Sequence, residues 1–131
     1  MSSVRLSIAS YLSADIEALS SFYATMFDLP EVEELRSEIF VGLDVDGVTL
    51  GFSDVKAYEL LNITDWANPS GTAQYLTFEV ETDDVVESLA AKAVELGATM
   101  LHDPYETYYG AYQAVLSDLD GNVFRINHFR G

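Results

Sequence analysis

Hydrophobic and polar positions change their period along the first half of the chain. Residues 4–12 alternate between apolar and polar side chains, which is typical of a strand. Residues 14–28 instead carry apolar side chains at three- and four-residue spacing, which predicts a helix with one apolar face. The next segments alternate again, and strands are predicted at residues 31–36, 37–44 and 47–53. The first half therefore has the element order β-α-β-β-β.

The second half repeats this order after a polar connection at residues 54–72, which is expected to hold a short helix. A helix is predicted at residues 85–96, because Thr82-Asp83-Asp84 supplies capping side chains before it. Strands are predicted around this helix at residues 73–81, 98–105, 110–117 and 122–129. The sequence thus predicts a single domain over residues 1–131, made of module one (4–53) and module two (73–129). One module cannot close its own sheet, so two must pair within the chain or between chains.

Composition and charge narrow the classes of partner. The 131 residues are 49% hydrophobic, which is enough to bury a core, and they include no Cys. Twenty-two acidic side chains against six basic ones give a formal net charge of −16, which repels nucleic acids and anionic lipids. The charge suits either a cationic ligand or a salt-adapted surface. Without a membrane span or signal-peptide pattern, we expect a cytoplasmic protein with no nucleic-acid or membrane partner.

Three stretches carry a resemblance to a known family. They are Asp15–Leu19 with Phe22-Tyr23, Leu76–Val80, and Asp118–Phe124, which is similar to a family closing hairpin. On these stretches the chain resembles the vicinal oxygen chelate superfamily, which includes glyoxalase, bleomycin-resistance and extradiol dioxygenase proteins. The resemblance implies an α+β protein of the glyoxalase/bleomycin-resistance fold, with two βαβββ modules forming curved mixed sheets around a cavity. It also implies a homodimer.

The metal-binding positions implied by the resemblance hold no metal ligands. Family enzymes use one side chain, usually His, from the first strand and one, usually Glu, from the last strand of each module. The corresponding positions here are Ser7 (or Ile8, one residue on), Gly51, Tyr75 and Arg125. Divalent ions prefer carboxylates and imidazoles, and an arginine repels them. We therefore expect a metal-site-deficient member with no cofactor, in which metal-dependent glyoxalase or dioxygenase activity is not expected and His102 and His128 do not bind metal.

A ligand site is predicted where Arg125 takes the inward-facing ligand position. Alternation along the strands predicts that small, aromatic and charged side chains face the same hollow as Arg125, namely Ser7, Tyr11, Gly51, Tyr75, Thr77 and Glu79. Further aromatic side chains are expected at its mouth, namely Trp66, Tyr105, Tyr108, Tyr109 and Tyr112. Arg125 either pairs with Glu79 or binds a ligand carboxylate. The tyrosines suit a planar or cationic ligand, a dimer interface or a packed hairpin.

Three functions follow from these features. The first is a metal-independent protein that sequesters a small aromatic or cationic ligand in a Tyr-lined cavity. The second is a metal-independent lyase or isomerase in which Glu79 or a tyrosine is the acid–base group. The third is a non-catalytic dimerisation module. A cavity lined by Tyr75 and Arg125 would argue against the third.

Overall fold

Each half of the chain forms its own sheet, with one long helix packed against it. The chain divides into the units Met1–Pro69 and Ser70–Gly131. The computed structural model describes residues 6–67 of the first unit and 74–131 of the second. The predicted loop at Asn68-Pro69-Ser70-Gly71 and the start of the strand predicted at 73–81 lie outside the described residues. None of the helices in these described ranges is long and apolar enough to cross a membrane.

The first unit has a three-stranded sheet with one parallel and one antiparallel pair. Its elements are β1 (Ile8–Ser13), α1 (Ile16–Phe27), β2 (Phe40–Val45), β3 (Val48–Asp54) and the short helix α2 (Ala57–Leu60). The strand order is β1-β3-β2, with β1 parallel and β2 antiparallel to β3. The Asp15 side chain caps α1 by accepting from the amide of Ala18 at 3.0 Å. The Asp46-Gly47 turn has positive φ at both residues (49° and 92°), as a tight two-residue hairpin requires.

The strand predicted at residues 31–36 is reduced to a single bridge. Glu31 pairs with Leu43, and the next residues form a 3-10 turn at Glu33–Leu35. Arg36, which follows this turn, donates to the carboxylates of Glu17 and Glu31 at 2.7 and 2.6 Å. These contacts attach the segment to α1 and to the sheet edge at isolated points, so a continuous strand does not form.

The second unit completes the predicted order with four strands and one helix. Its elements are β4 (Leu76–Glu79), α3 (Asp83–Glu95), β5 (Thr99–Glu106), β6 (Ala111–Ser117) and β7 (Val123–Phe129). The strand order is β4-β7-β6-β5, in which only the β4–β7 pair is parallel. Thr82 caps α3 by accepting from the amide of Val85, so the helix begins two residues earlier than predicted.

One face of the second sheet is covered by α3, and this fixes which side chains remain for a site. Side chains from α3 and from β6 and β7 form the buried layer, namely Val86, Ala90, Ala93, Ala114, Leu116, Phe124 and Ile126. Successive residues of a strand point to opposite faces. The residues that alternate with these buried ones therefore lie on the other face, namely Gln113 and Val115 on β6 and Arg125 and Asn127 on β7.

Candidate functional site

Polar side chains occupy the face of the second sheet that points away from α3. We call this surface the polar face and define it by Thr77, Glu79, Gln113, Arg125 and Asn127. The strand register places Thr77 beside Arg125, and Glu79 beside Asn127, on the parallel strands β4 and β7. Gln113 lies beside Asn127 on the antiparallel neighbour β6. The five side chains thus converge because β7 pairs both with β6, its neighbour in the sequence, and with the distant strand β4.

The guanidinium of Arg125 donates hydrogen bonds to three uncharged side chains. Its Nε donates to Oγ1 of Thr77 at 3.0 Å, and its Nη1 donates to the hydroxyl of Tyr109 at 3.0 Å and to Oε1 of Gln113 at 3.1 Å. The guanidinium carbon lies 5.0 Å from the ring centroid of Tyr75, within the range of a cation–π contact. The guanidinium is therefore fixed in position without a carboxylate among its partners in the described residues.

Gln113 joins the tyrosines of this region into one hydrogen-bond network. The side chain is 3% exposed, and its Nε2 donates to the hydroxyl of Tyr105 at 2.6 Å. The Tyr109 hydroxyl donates to Oε1 of the same amide at 3.1 Å. The Tyr105 ring in turn stacks on His102 with 3.7 Å between ring centroids. Tyr105, Tyr109 and Arg125 consequently share one buried amide as their common partner.

Glu79 bonds to β7 rather than to Arg125. Its Oε1 accepts from Nδ2 of Asn127 at 2.7 Å, and its Oε2 accepts from the backbone amide of Phe129 at 2.6 Å. The predicted alternative of an Arg125–Glu79 ion pair is therefore wrong, because the strand register puts Asn127 and not Arg125 next to Glu79. The buried Oδ1 of Asn127 has no donor among the described residues.

Two other predicted tyrosines of the second unit are placed away from this network. Tyr108 is fully exposed, and its ring meets that of Tyr109 edge-on at 5.2 Å. The inclusion of Tyr112 with Tyr105 and Tyr109 in one site is wrong. Tyr112 alternates with Gln113 along β6, so it points toward α3, where its hydroxyl donates to Glu87 at 2.7 Å.

The groups of the second unit whose pKa values are clearly shifted lie on the helix side of the sheet. The Glu87 carboxylate that accepts from the hydroxyl raises the pKa of Tyr112. The Arg130 guanidinium, which bonds to Asp83, lowers the pKa of that carboxyl. Arg130 also pairs with Glu106 at 2.9 Å. This ionic cluster ties the chain after β7 to the first turn of α3, and it lies on the opposite face from Arg125.

Tyr11 of the first unit belongs to the core. Its side chain is 8% exposed, and its ring lies 5.8 Å from that of Tyr23 and 6.2 Å from that of Phe52. The prediction that Tyr11 lines the hollow is therefore wrong. Both alternating sets of β1 carry large apolar side chains, so alternation alone did not tell which set faces α1. The structure buries Tyr11 and leaves Ile8 41% exposed.

The position of Gly51 in the first sheet is filled by neighbouring side chains. A Cβ added there would lie 2.7 Å from two ring atoms of Phe40 and from Oγ of Ser10. The register pairs Ser10 with Gly51, just as Thr77 pairs with Arg125 in the second sheet. Ser10 is thus the counterpart of Thr77, and Ile8 rather than Ser7 is the counterpart of Tyr75. Ser7 is exposed and precedes β1.

Trp66 ends the 3-10 turn Thr64–Trp66 in the first unit. Its side chain lies outside the described part of the structure. The predicted role of Trp66 at a cavity mouth stays a prediction.

The residues at the family's ligand positions do not fit a divalent ion. Ile8 and Gly51 offer no side-chain atom that could bind a metal ion, and Tyr75 packs against the guanidinium of Arg125. A fixed cation at a ligand position repels a metal ion. Within residues 6–67 and 74–131, no group of three or more His, Asp or Glu side chains is arranged to hold a metal. His102 Nδ1 lies 2.7 Å from the carbonyl oxygen of Asp103, and His128 Nδ1 lies 3.1 Å from that of Val80.

Sequence reasoning missed three residues that shape these surfaces. Gln113 is the only side-chain amide in β6, and a polar residue among the apolar ones of a strand is a usable signal for a buried network. Ser10 and Phe40 were missed because their roles depend on the strand register around Gly51, which the sequence does not contain.

Open mixed sheets in two units, each with one covering helix, define the glyoxalase/bleomycin-resistance fold of the vicinal oxygen chelate superfamily. The profile of the glyoxalase-like domain matches residues 8–127. The chain therefore belongs to the glyoxalase-like domain family. No protein with a curated functional description matches it.

Solved structures agree with this assignment. The chain is 43% identical to a glyoxalase/bleomycin resistance protein/dioxygenase family enzyme from Burkholderia phytofirmans PsJN, with a TM-score of 0.93 and coverage of 96% of this chain and 99% of that one. A glyoxalase-related enzyme from Fulvimarina pelagi is 19% identical, with a TM-score of 0.84 and coverage of 95% and 87%. A lactoylglutathione lyase from Agrobacterium tumefaciens is 16% identical, with a TM-score of 0.72 and coverage of 96% and 94%. The last two likenesses show the fold alone.

Proposed function

We propose that this chain is a metal-independent binding protein that holds a small aromatic molecule on the polar face of its second sheet. The observation that carries the proposal is the network around Arg125, in which Thr77, Tyr109 and Gln113 hold the guanidinium over the ring of Tyr75. Rigid aromatic and polar groups at one surface are typical of small-molecule sites.

The contacts of Glu79 favour binding over acid–base catalysis. Both carboxylate oxygens accept hydrogen bonds, one from Asn127 and one from the backbone of Phe129. A general base must present an oxygen to the substrate proton, within hydrogen-bond reach. Glu79 instead fastens β4 to the end of β7, so we assign it a structural role.

The half-exposed rings supply the aromatic part of the site. Tyr75 and Tyr109 are 53% and 45% exposed, so each offers ring surface to a ligand. Burial of such a ring under a planar ligand removes apolar area from water and adds a stacking contact worth about 1 kcal/mol. The hydroxyl of Tyr105 joins the same network by accepting from Gln113, and its ring stacks on His102.

A titration with 2-naphthol, followed by NMR of the ¹⁵N-labelled protein in EDTA, tests the proposal. We expect the largest shift changes at the amides of Thr77, Gln113, Arg125 and Asn127, and small ones along α3. The Tyr109→Phe variant removes a hydroxyl of the network and should weaken binding several-fold. Tyr112→Phe, a matched deletion on the opposite face, should leave binding unchanged. Binding that requires added zinc, or shifts confined to the helix side, would contradict the proposal.

A further inference from the structure

Arg125 differs from the other arginines of the described residues in having no counter-ion. Arg36 pairs with the carboxylates of Glu17 and Glu31, and Arg130 pairs with those of Asp83 and Glu106. Carboxylates are abundant in this chain, with 22 acidic side chains against six basic ones. A fixed arginine without a carboxylate partner in such a chain is therefore an available site for an anion.

The hydrogen bonds of Arg125 leave one end of the guanidinium open. Nε is used by Thr77, and Nη1 is used by Tyr109 and Gln113. Nη2 has no acceptor among the described residues, so its two N–H groups remain for a ligand oxygen. The three neutral partners orient the group without cancelling its charge. A pre-positioned arginine loses little side-chain entropy when an anion binds.

The surroundings of this open end select a planar anion. The Tyr75 ring lies below the guanidinium at 5.0 Å, and the exposed ring of Tyr109 adjoins Nη1. A simple inorganic anion would use the charge but not the exposed ring surface of Tyr75 and Tyr109. An aromatic carboxylate uses both, since its ring stacks while its carboxylate accepts from Nη2.

Resting on the proposed function, we propose that the polar face binds an aromatic carboxylate, with the carboxylate held by Nη2 of Arg125. This ligand class is the opposite of the cationic one that the net charge of −16 suggests. A charge in contact dominates over a diffuse surface field, which salt screens beyond about 10 Å. The local geometry at Arg125 therefore favours a negatively charged ligand in spite of the negative net charge of the chain.

Isothermal titration calorimetry with three probes of the same shape tests this inference. The probes are 2-naphthoate, 2-naphthamide and 2-naphthylmethylammonium. A hydrogen bond to a charged group corresponds to roughly tenfold or more in affinity, so 2-naphthoate should bind at least about tenfold more tightly than 2-naphthamide. The ammonium probe should bind most weakly. Acetate, which has the charge without the ring, should bind far more weakly than 2-naphthoate.

Three variants test whether the preference for 2-naphthoate depends on Arg125. Arg125→Gln should abolish the preference for 2-naphthoate over 2-naphthamide, while Lys92→Gln, which removes a positive charge from the exposed surface of α3, should retain it. Arg125→Lys keeps a charge in place if the Gln variant does not fold, and should retain part of the preference.

The outcomes separate the two proposals. Equal binding of all three aromatic probes, a preference for the ammonium probe, or a preference unchanged by Arg125→Gln would overturn the aromatic-carboxylate inference and leave the aromatic site standing. No binding of any aromatic probe would overturn the proposed function itself.

Discussion

Nη1 of Arg125 donates to Oε1 of Gln113 at 3.1 Å, and this contact places a cation beside a buried neutral amide. Gln113 is 3% exposed and also donates to Tyr105. The amide can therefore orient the guanidinium and leave its charge for a ligand. A carboxylate at the same position would keep the shape and cancel the charge.

The first prediction uses that substitution. Gln113→Glu should give Arg125 an internal counter-ion, because the new carboxylate would lie at the same hydrogen-bond distance. The affinity for 2-naphthoate should fall roughly tenfold, while that for 2-naphthamide should change little. Calorimetric titration of both probes measures the effect. Ser88→Glu, which adds the same charge on an exposed position of α3, should leave both affinities unchanged; equal losses in the two variants would contradict a local role for Gln113.

The second prediction concerns the close packing over Gly51. Gly51→Ala should lower the free energy of unfolding by about 1–3 kcal/mol, because the new Cβ would lie 2.7 Å from the Phe40 ring and from Oγ of Ser10. Urea unfolding followed by circular dichroism measures the loss. In a Phe40→Leu background the penalty should shrink, since the smaller side chain relieves the overlap. Equal penalties in both backgrounds would show that Phe40 is not the obstacle.

The third prediction concerns the hairpin between β6 and β7. The Asp118 carboxylate is 5% exposed and accepts from the amides of Asp120 and Asn122 at 2.9 Å and from the Asn122 side chain at 3.0 Å. Asp118→Ala leaves these donors unpaired and should cost roughly 2–4 kcal/mol of unfolding free energy. The exposed Asp120→Ala is the control and should cost much less. Similar urea midpoints for the two variants would be inconsistent with this role of Asp118.

The fourth prediction is a pH dependence. The Arg130 guanidinium lowers the pKa of Asp83 below its ordinary value of 3.8 in the folded state. A lowered folded pKa means that the carboxylate stabilises the fold at pH values above the ordinary pKa, and that this contribution is lost as the pH falls through the folded pKa. Asp83→Asn should therefore be less stable than the unmodified chain at neutral pH.

Unfolding curves measured from pH 7 down to pH 2 test this difference. The stabilities of the Asp83→Asn variant and the unmodified chain should converge at the acidic end of the series. Asp84→Asn, in the same helical turn but without an ion pair among the described residues, should show a smaller difference at every pH. A stability difference between Asp83→Asn and the unmodified chain that grows as the pH falls would contradict the prediction.

Local patterns predicted most of the elements but not which face of β1 packs against α1. Turn and capping residues such as Asp46-Gly47 and Thr82 act on their immediate neighbours, so the turns and helix starts near them were predictable. The orientation of Tyr11 toward the core was not predictable, because both alternating sets of side chains on β1 include large apolar ones. The strand predicted at 31–36 failed because one bridge at Glu31 replaces a ladder.

The site was predictable in part for a similar reason. The resemblance to a family aligns first and last strands and so groups Tyr75, Thr77 and Arg125, which the structure brings into contact; their role in ligand binding stays a prediction. The bond between Glu79 and Asn127 depends on the register of parallel strands 48 residues apart, which alternation cannot fix. The sequence therefore shows which side chains share a strand face, while partners across strands required the structure.

Native mass spectrometry of the purified chain gives the most direct test of metal-independent aromatic binding. The protein is stripped with EDTA and then exposed separately to zinc, nickel, manganese and 2-naphthoate. We expect no stoichiometric metal adduct, and one 2-naphthoate per chain that is lost in Arg125→Gln and kept in Lys92→Gln. One tightly held divalent ion per chain, with 2-naphthoate binding only in its presence, would contradict the assignment of Arg125 as the ligand-binding group.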